Sequence, residues 1–431
     1  MYNPEFESMP RDEIEQLQTE RLQTTLNRVY RSVAFYRHTF DAIKFDVDSV
    51  RSVREIRRLP FTTREDLKKS YPYDMFAVPL KDIVRVHSSS GTTGQSVVVG
   101  YTKNDIAHWA QVTARALAAA GINEHDFVQI AFDYSLFTGG FGFHYGAERI
   151  GASVIPSSAH GNIAKQIRVM KDYKTSALLC TPSYAMEIAY KMKEMGIHPE
   201  TLKLRCGLFG AEPWGAALRA RLEEMLHIDA FDVYGLSEIM GPGVSSECVH
   251  KNGLHVNEDH FIVEVIDPAT CEPLPAGAQG ELVFTTITKE GFPLIRYRTG
   301  DRASLMEGTC PCGRTLVRMS RVAGRTDDLI IYKGLKVYPV QIEEALLKAE
   351  NVKPRYMVYL DQEDGIDAME IRIEVSDALF NDELKNLLAV KNKVARILEE
   401  DLELVAKITL VEPGSLKGDD GGKSRVVDRR A

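Results

Sequence analysis

Between about residues 83 and 235, short β-like runs (DFVQIAF, ASVIP, ALLCT, LRCGLFG, AFDVYG) alternate with stretches of helical spacing such as DIAHWAQVTARALAAAG and PSYAMEIAYKMKEMG. This alternation predicts an α/β fold, in which helices bury a mostly parallel sheet. No other feature constrains the fold as much. Ahead of it, Ile14, Leu17, Leu22, Leu26, Val29 and Val33 recur at helical intervals among charges, so amphipathic helices are expected to cover a core or a partner subunit. Behind it the texture changes to strands and turns, HFIVEVIDP, PLPAGAQG and ELVFTTI, which reads as a β-rich subdomain at about 256–320. From Gly324 onward a helix at VQIEEALLKAE, strands at RYMVYLD and MEIRIEV and a charged helix near 381–400 form an α+β unit of about 100 residues, a usual domain size. The expectation is a large N-terminal α/β domain, residues 1–326, and a small C-terminal domain, residues 327–431, since 431 residues exceed one ordinary core.

Charge and cysteine usage exclude several function classes. A formal net charge of -8, without a cluster of Lys and Arg, argues against nucleic acid as a partner. The start, MYNPEFESMPRDEIEQ, has no basic segment followed by an apolar run, and no later run approaches the roughly 20 apolar residues that span a bilayer. A cytoplasmic protein without membrane contact is expected. Six cysteines are too few for a disulfide scaffold in such a chain. Cys180 and Cys206 lie in apolar strand-like runs and read as core.

The stretch Ser88 to Ser96, SSSGTTGQS, has the composition of a polyphosphate-binding loop. Gly91 and Gly94 can take positive φ, while backbone amides and the hydroxyls of Ser88, Ser89, Ser90, Thr92 and Thr93 can donate to phosphate oxygens. No lysine follows the second glycine, so it is not a P-loop of the GxxxxGK[ST] type, and its cation must come from elsewhere. Taken alone, it reads equally well as a flexible loop.

Four motifs follow in fixed order: GAEPW at 210–214, DVYGLSE at 232–238, YRTGD at 297–301 and GRTDD at 324–328, with GGKSRVVD around Lys423. Together with the Ser/Gly loop they resemble the adenylate-forming acyl-CoA synthetases, and most closely the phenylacetate-CoA ligase family, over nearly the whole chain. The resemblance implies the adenylate-forming enzyme fold and a two-step reaction, in which a carboxylate attacks the α-phosphate of ATP and the thiol of coenzyme A then displaces AMP. A carboxylate needs no general base, so the first step depends on positioning and on neutralising phosphate charge.

Residue by residue, the resemblance assigns the β- and γ-phosphates to Ser88–Ser96, magnesium to Glu238, and both the substrate carboxylate and the α-phosphate to Lys423. It assigns the ribose hydroxyls to Asp301, an adenine contact to Asp232, purine stacking to Tyr234 within the Gly235 and Ser237 turn, and the wall of the adenine and acyl pocket to Gly210, Ala211 and Glu212. Arg325 is expected at the nucleotide, Asp327 at a hinge between the domains, and Gly334 and Lys336 along the coenzyme A path. Asparagine is more usual in the family where this chain has Lys336. By their surroundings alone, Glu238 reads as a solvated carboxylate, Lys423 as a tail lysine, and Asp232 and Glu212 as satisfied polar groups at strand ends. The family further suggests a homodimer, for which the N-terminal helices are a candidate surface. The same motifs serve enzymes that load an acyl group onto a carrier protein, so the acceptor stays open between that and free coenzyme A.

Residues 132–152 interleave Phe132, Tyr134, Phe137, Phe141, Phe143 and Tyr145 with glycines. Such a stretch can clasp a flat ring, with Tyr134 and Phe141 facing an aryl acid, or can be an aromatic-rich core helix. Phenylacetate, a hydroxylated or indole analogue, and benzoate all suit it. Cys310 and Cys312 form a CxC pair on a tight turn, spaced to share one soft ion. With Cys248 and His255 they would make a closed, structural Cys₃His zinc site; His250 could replace His255, and the alternative is reduced thiols without metal. The cysteine, the GLH histidine and the CxCG turn recur in the family that the chain resembles.

Overall fold

The computed structural model describes residues 1–88, 96–159, 162–333, 335–349, 352–363, 366–380, 384–416 and 425–430. The chain opens with α1 (Pro4–Glu7), α2 (Arg11–Ser32), α3 (Ala34–Ala42) and α4 (Arg64–Lys69). Leu22, Leu26 and Val29 of α2 and the following Val33 are completely buried, in one cluster with Val256, Phe261 and Phe284. These four positions of the apolar stripe are therefore covered by the chain's own core.

An antiparallel hairpin of β1 (Arg85–Ser88) and β2 (Val98–Tyr101) pairs Ser88 with Val98 and so brings together the two ends of the Ser/Gly stretch. Helix α5 (Lys103–Ala119) starts directly after β2 because Thr102 and Asp105 close a capping box: the Thr102 hydroxyl accepts the Asp105 N–H at 3.1 Å, and the Asp105 carboxylate accepts the Thr102 N–H at 2.9 Å. Then come β3 (Phe127–Ile130), α6 (Gly139–Arg149), β4 (Ser153–Ile155), α7 (Ile163–Asp172), β5 (Ala177–Cys180), α8 (Pro182–Glu194), β6 (Cys206–Gly210), α9 (Ala216–Leu226) and β7 (Asp229–Leu236). The remaining strands of this domain are β8 (Gly241–Ser246), β9 (Leu254–Val256), β10 (Phe261–Ile266), β11 (Gly280–Thr286), β12 (Tyr297–Ala303), β13 (Leu305–Met306) and β14 (Arg318–Met319).

Nine of these strands form one sheet in the order β13-β14-β9-β8-β7-β6-β5-β3-β4. From β4 to β7 the pairings are parallel, and beyond β7 antiparallel. Alternation along each strand divides its side chains between two cores: Leu178, Cys180 and Phe209 meet α7, α8 and α9, whereas Ala177, Leu179, Cys206 and Leu208 meet α5 and α6. The 256–320 stretch divides likewise. β10, β11 and β12 make a sheet of their own, while the strands at its two ends extend the large sheet.

The C-terminal part begins with the hairpin β15 (Ile330–Tyr332) and β16 (Leu335–Val337), followed by α10 (Pro339–Leu346), β17 (Val352–Glu363), β18 (Ile366–Val375), α11 (Asp377–Phe380), α12 (Leu384–Leu402), β19 (Lys407–Val411) and β20 (Val426–Asp428). A four-stranded sheet, β19-β18-β17-β20, packs with α10 and α12 around Ile342, Leu346, Val358, Ile371, Val394 and Leu398. Among the described residues, no helix is long and apolar enough to cross a membrane.

Candidate active site

In α/β sheets of this kind ligands bind outside the carboxyl ends of the parallel strands. β6 ends at Gly210, and the chain then turns through Ala211, a residue at φ +70°. A left-handed alanine is uncommon. Next to it, the Glu212 carboxylate accepts the Ser183 N–H at 2.7 Å and so caps α8. For that oxygen the plain reading, a satisfied polar group at a strand end, is the observed one.

β7 carries Asp232, Tyr234 and Gly235. Asp232 is buried, and burial, with Glu247 adding to it, raises its carboxyl pKa to about 7 against the opposing pull of Trp214, Arg321 and Arg219. The pairing with β8 shifts between Tyr234 and Gly235, where a Cβ on Gly235 would strike the Gly241 carbonyl. Tyr234 stacks on Phe284 at 5.9 Å and donates its hydroxyl to Asp301 at 2.7 Å. One face of the ring is thus taken by the protein.

Asp301 lies on β12 and also accepts Arg325 Nη1 at 2.9 Å. Burial raises its carboxyl pKa, with Arg325 and Tyr234 opposing. Arg325 reaches Asp327 as well, at 2.8 Å, and these two carboxylates more than offset the effect of burial on its guanidinium, whose pKa is raised. The residues expected at the ribose and at the hinge therefore form one chain of charge.

Ser237 and Glu238 close the β7 turn. The Ser237 hydroxyl meets Thr138 Oγ1 at 3.0 Å. Glu238 is 7 % exposed, and its carboxylate takes no hydrogen bond or ion pair among the described residues. A carboxylate left free of protein partners among these residues is available to a bound cation.

Ser88 N–H and His87 Nδ1 both meet the Leu136 carbonyl, at 3.1 and 3.0 Å, so the root of the Ser/Gly stretch is tied to the aromatic segment. In that segment Phe132 and Phe143 stack in the core, whereas Tyr134, Phe141 and Tyr145 are half-buried. Tyr134 meets Phe141 edge-on at 5.2 Å, and Phe141 stacks with Tyr145 at 6.5 Å. Arg85 lies over both Phe141 and Tyr145 and donates to the Tyr145 hydroxyl at 2.8 Å. Sequence reading missed Arg85, His87 and Thr138. Of these, only His87 carried a signal, its place directly before the loop.

Ser89, Ser90, Gly91, Thr92, Thr93, Gly94, Gly334 and Lys423 lie outside the described residues. Near them, Arg425 pairs with the buried Glu343 at 2.6 Å, and Val426 pairs with Val358 of β17. Lys336 is exposed on β16 opposite Ile331.

Cys248, His255, Cys310 and Cys312 converge, with their donor atoms all within 4.8 Å of one another. Cys248 Sγ to Cys310 Sγ is 3.6 Å, and Cys312 Sγ to His255 Nε2 is 3.5 Å. A tetrahedron with Zn–S near 2.3 Å and Zn–N near 2.0 Å has edges of roughly 3.8 and 3.5 Å, so the donor set fits zinc. His250 is exposed and outside this cluster.

Residues 14–288 match the AMP-binding enzyme family, and residues 334–430 match the AMP-binding enzyme C-terminal domain. A phenylacetate-coenzyme A ligase of Thermus thermophilus is 44 % identical over 100 % of both chains. One from Escherichia coli is 41 % identical over 97 % of this chain and 95 % of its own. Among solved structures, a 2-hydroxyisobutyryl-CoA ligase in the postadenylation state, in complex with R3-HIB-AMP, superimposes with a TM-score of 0.91 at 27 % identity, covering 99 % of this chain and 91 % of that one. The same ligase in the thioesterification state, with 2-HIB-AMP and CoA, covers 99 % and 92 % at 28 % identity but superimposes at only 0.74. The two parts of this chain are therefore disposed as in the former state.

Proposed function

Since the chain belongs to the phenylacetate-CoA ligase family of AMP-binding enzymes, an acid–thiol ligase family, we propose that it joins phenylacetate, or a closely related aryl acid, to coenzyme A. In the first step the acid's carboxylate oxygen bonds to the α-phosphorus of ATP, and the bond from that phosphorus to the bridging oxygen breaks, releasing pyrophosphate. In the second the coenzyme A sulfur bonds to the acyl carbon, the acyl–phosphate C–O bond breaks, AMP leaves, and the thiol proton passes to solvent.

The observation that carries the aryl preference is the half-buried wall of Tyr134, Phe141 and Tyr145 beside the root of the Ser/Gly stretch. Rings at these separations contact a flat acyl group by edge and face. Asp301 holds the ribose hydroxyls, with Tyr234 and Arg325 fixing its two oxygens. Asp232 and the Gly210–Glu212 turn border the adenine, and Ser88 to Gly94, with Gly235 and Ser237 at the turn, border the phosphates. Glu238 would hold magnesium, which, when bound, neutralises phosphate charge. Lys423 reaches both the substrate carboxylate and the α-phosphate, and its arrival from the C-terminal part makes the step depend on domain arrangement. Asp327 serves as the hinge between parts at 1–326 and 327–431, and Gly334 and Lys336 border the pantetheine path after rotation.

The Cys248, His255, Cys310 and Cys312 site holds a structural zinc in this reading. Glu7 pairs with Arg314 beside the CxC turn at 2.6 Å, so the metal would brace the N-terminus as well. A cytoplasmic homodimer completes the proposal, and sedimentation of the purified chain checks its oligomeric state.

Lys423→Ala tests the mechanism directly. Acyl-adenylate formation should collapse while thioester formation from supplied acyl-adenylate persists; equal loss of both half-reactions would remove the role given to Lys423.

A further inference from the structure

The turn that presents Glu238 is held by two buried side chains that belong to none of the motifs. The Tyr101 hydroxyl lies 2.9 Å from the Met240 carbonyl and 3.4 Å from that of Ser237. Lys289 Nζ lies 3.0 Å from the Ile239 carbonyl and 3.4 Å from that of Glu238. Between them, the two side chains take the carbonyls of four consecutive residues.

Lys289 is 1 % exposed, lies 4.5 Å over the Tyr101 ring and 5.5 Å over that of Phe292, and has no carboxylate within ion-pair distance among the described residues. Its place is fixed from α5, where the Asp105 carboxylate accepts the N–H groups of Glu290 at 2.7 Å and Gly291 at 2.9 Å. An ammonium buried without an ion pair is expensive, and the charges of Asp105 and Glu238 only partly oppose that burial. Methionine would fill the space at far lower cost. The charge and the donors therefore require an explanation beyond packing. Both bear on Glu238, whose carbonyl the ammonium touches and whose carboxylate takes no hydrogen bond or ion pair among the described residues.

We propose that Lys289 is a positioning residue for adenylation: with Tyr101 it locks the Ser237–Met240 turn so that the Glu238 carboxylate is presented to a phosphate-bound divalent cation. The inference rests on the reading of Glu238 as the magnesium-associated acid.

The test is Mn²⁺ binding, followed by electron paramagnetic resonance, to the protein with α,β-methylene-ATP, in the wild type, Lys289→Met, Lys289→Gln, Tyr101→Phe and Glu238→Gln. Lys289→Met should weaken Mn²⁺ binding about tenfold or more, Lys289→Gln should recover part of that through its amide donor, and Tyr101→Phe should move the same way by less. The kcat of adenylation should fall in parallel, with the KM for the acid and thioester formation from supplied acyl-adenylate unchanged. Mn²⁺ affinity weakened in Glu238→Gln but unaltered in folded Lys289→Met overturns the inference alone. Unaltered affinity in Glu238→Gln overturns the reading of Glu238 and the inference with it. Where Lys289→Met fails to fold, Lys289→Gln decides by the same comparison.

Discussion

Helix α9 begins at Ala216 without a side-chain cap of its own, since Gly215 stands at the N-cap. The missing acceptor comes from the C-terminal part of the chain: Glu344 Oε1 on α10 accepts the Ala216 N–H at 3.2 Å. Gly215 permits this, because a Cβ there would run into the same carboxylate. A lost N-cap costs about 0.5–2 kcal/mol, and here the cost falls only on the arrangement that makes the contact. Glu344→Ala should therefore lower the ratio of this arrangement to its alternatives about 2- to 30-fold, taking about 1.4 kcal/mol per tenfold. Glu344→Gln keeps a carbonyl oxygen in place and should restore most of the ratio. The assay is single-molecule energy transfer between dyes on exposed positions of the two parts, with acyl-adenylate formation and thioester formation measured separately. Glu344→Ala should slow the first half-reaction relative to the second. If Ala and Gln behave alike, or if both half-reactions change equally, the cross-domain cap is not what biases the arrangement.

Three further outcomes are expected. Asp232 has a folded pKa near 7 against an ordinary 3.8, so the stability it contributes is present below pH 3.8 and is lost as pH rises to 7, on the order of 4 kcal/mol in all. The stability advantage of Asp232→Asn over the wild type should therefore grow across that window, and a flat difference in Tm between pH 4 and 8 would contradict the burial argument. Phe141→Ala removes a ring in edge contact with Tyr134 and should lower kcat/KM for phenylacetate about 10- to 100-fold, with little change for short aliphatic acids, matching roughly 1–3 kcal/mol of lost ring contact. Metal analysis of protein purified without added zinc should find about one equivalent per chain, lost in Cys310→Ser together with a lower Tm; folded, reduced wild type without metal would refute the site.

What could be read from the sequence was whatever local pattern encodes. The βαβ alternation marks β3 to β7 because each strand has apolar residues on both faces, as Ala177–Cys180 shows by complete burial of all four. Glycine-bearing turns such as GAE and YGLSE mark the strand ends, because backbone turns there need small or left-handed residues, as Gly210, Ala211 and Gly235 illustrate. The CxC turn and GLH histidine stood out because their ligand chemistry is local in spacing, although choosing His255 over His250 needed coordinates. Long-range polar contacts were illegible. Nothing near Lys289 tells that it is buried against a turn some 50 residues earlier, and nothing near Glu344 tells that it caps a helix 128 residues away. Periodicity in α2 revealed an apolar face but not its occupant, since burial against self and against a partner impose the same spacing.

The most direct measurement is pyrophosphate release with ATP and magnesium over a panel of aryl and aliphatic acids, each with and without coenzyme A, following AMP and thioester. Acid-dependent turnover should be highest for phenylacetate and its close ring analogues, with thioester formed only when coenzyme A is present. Adenylation without thioester would point to a carrier-protein acceptor and contradict the proposed acceptor, and a preference for short aliphatic acids would contradict the aryl pocket.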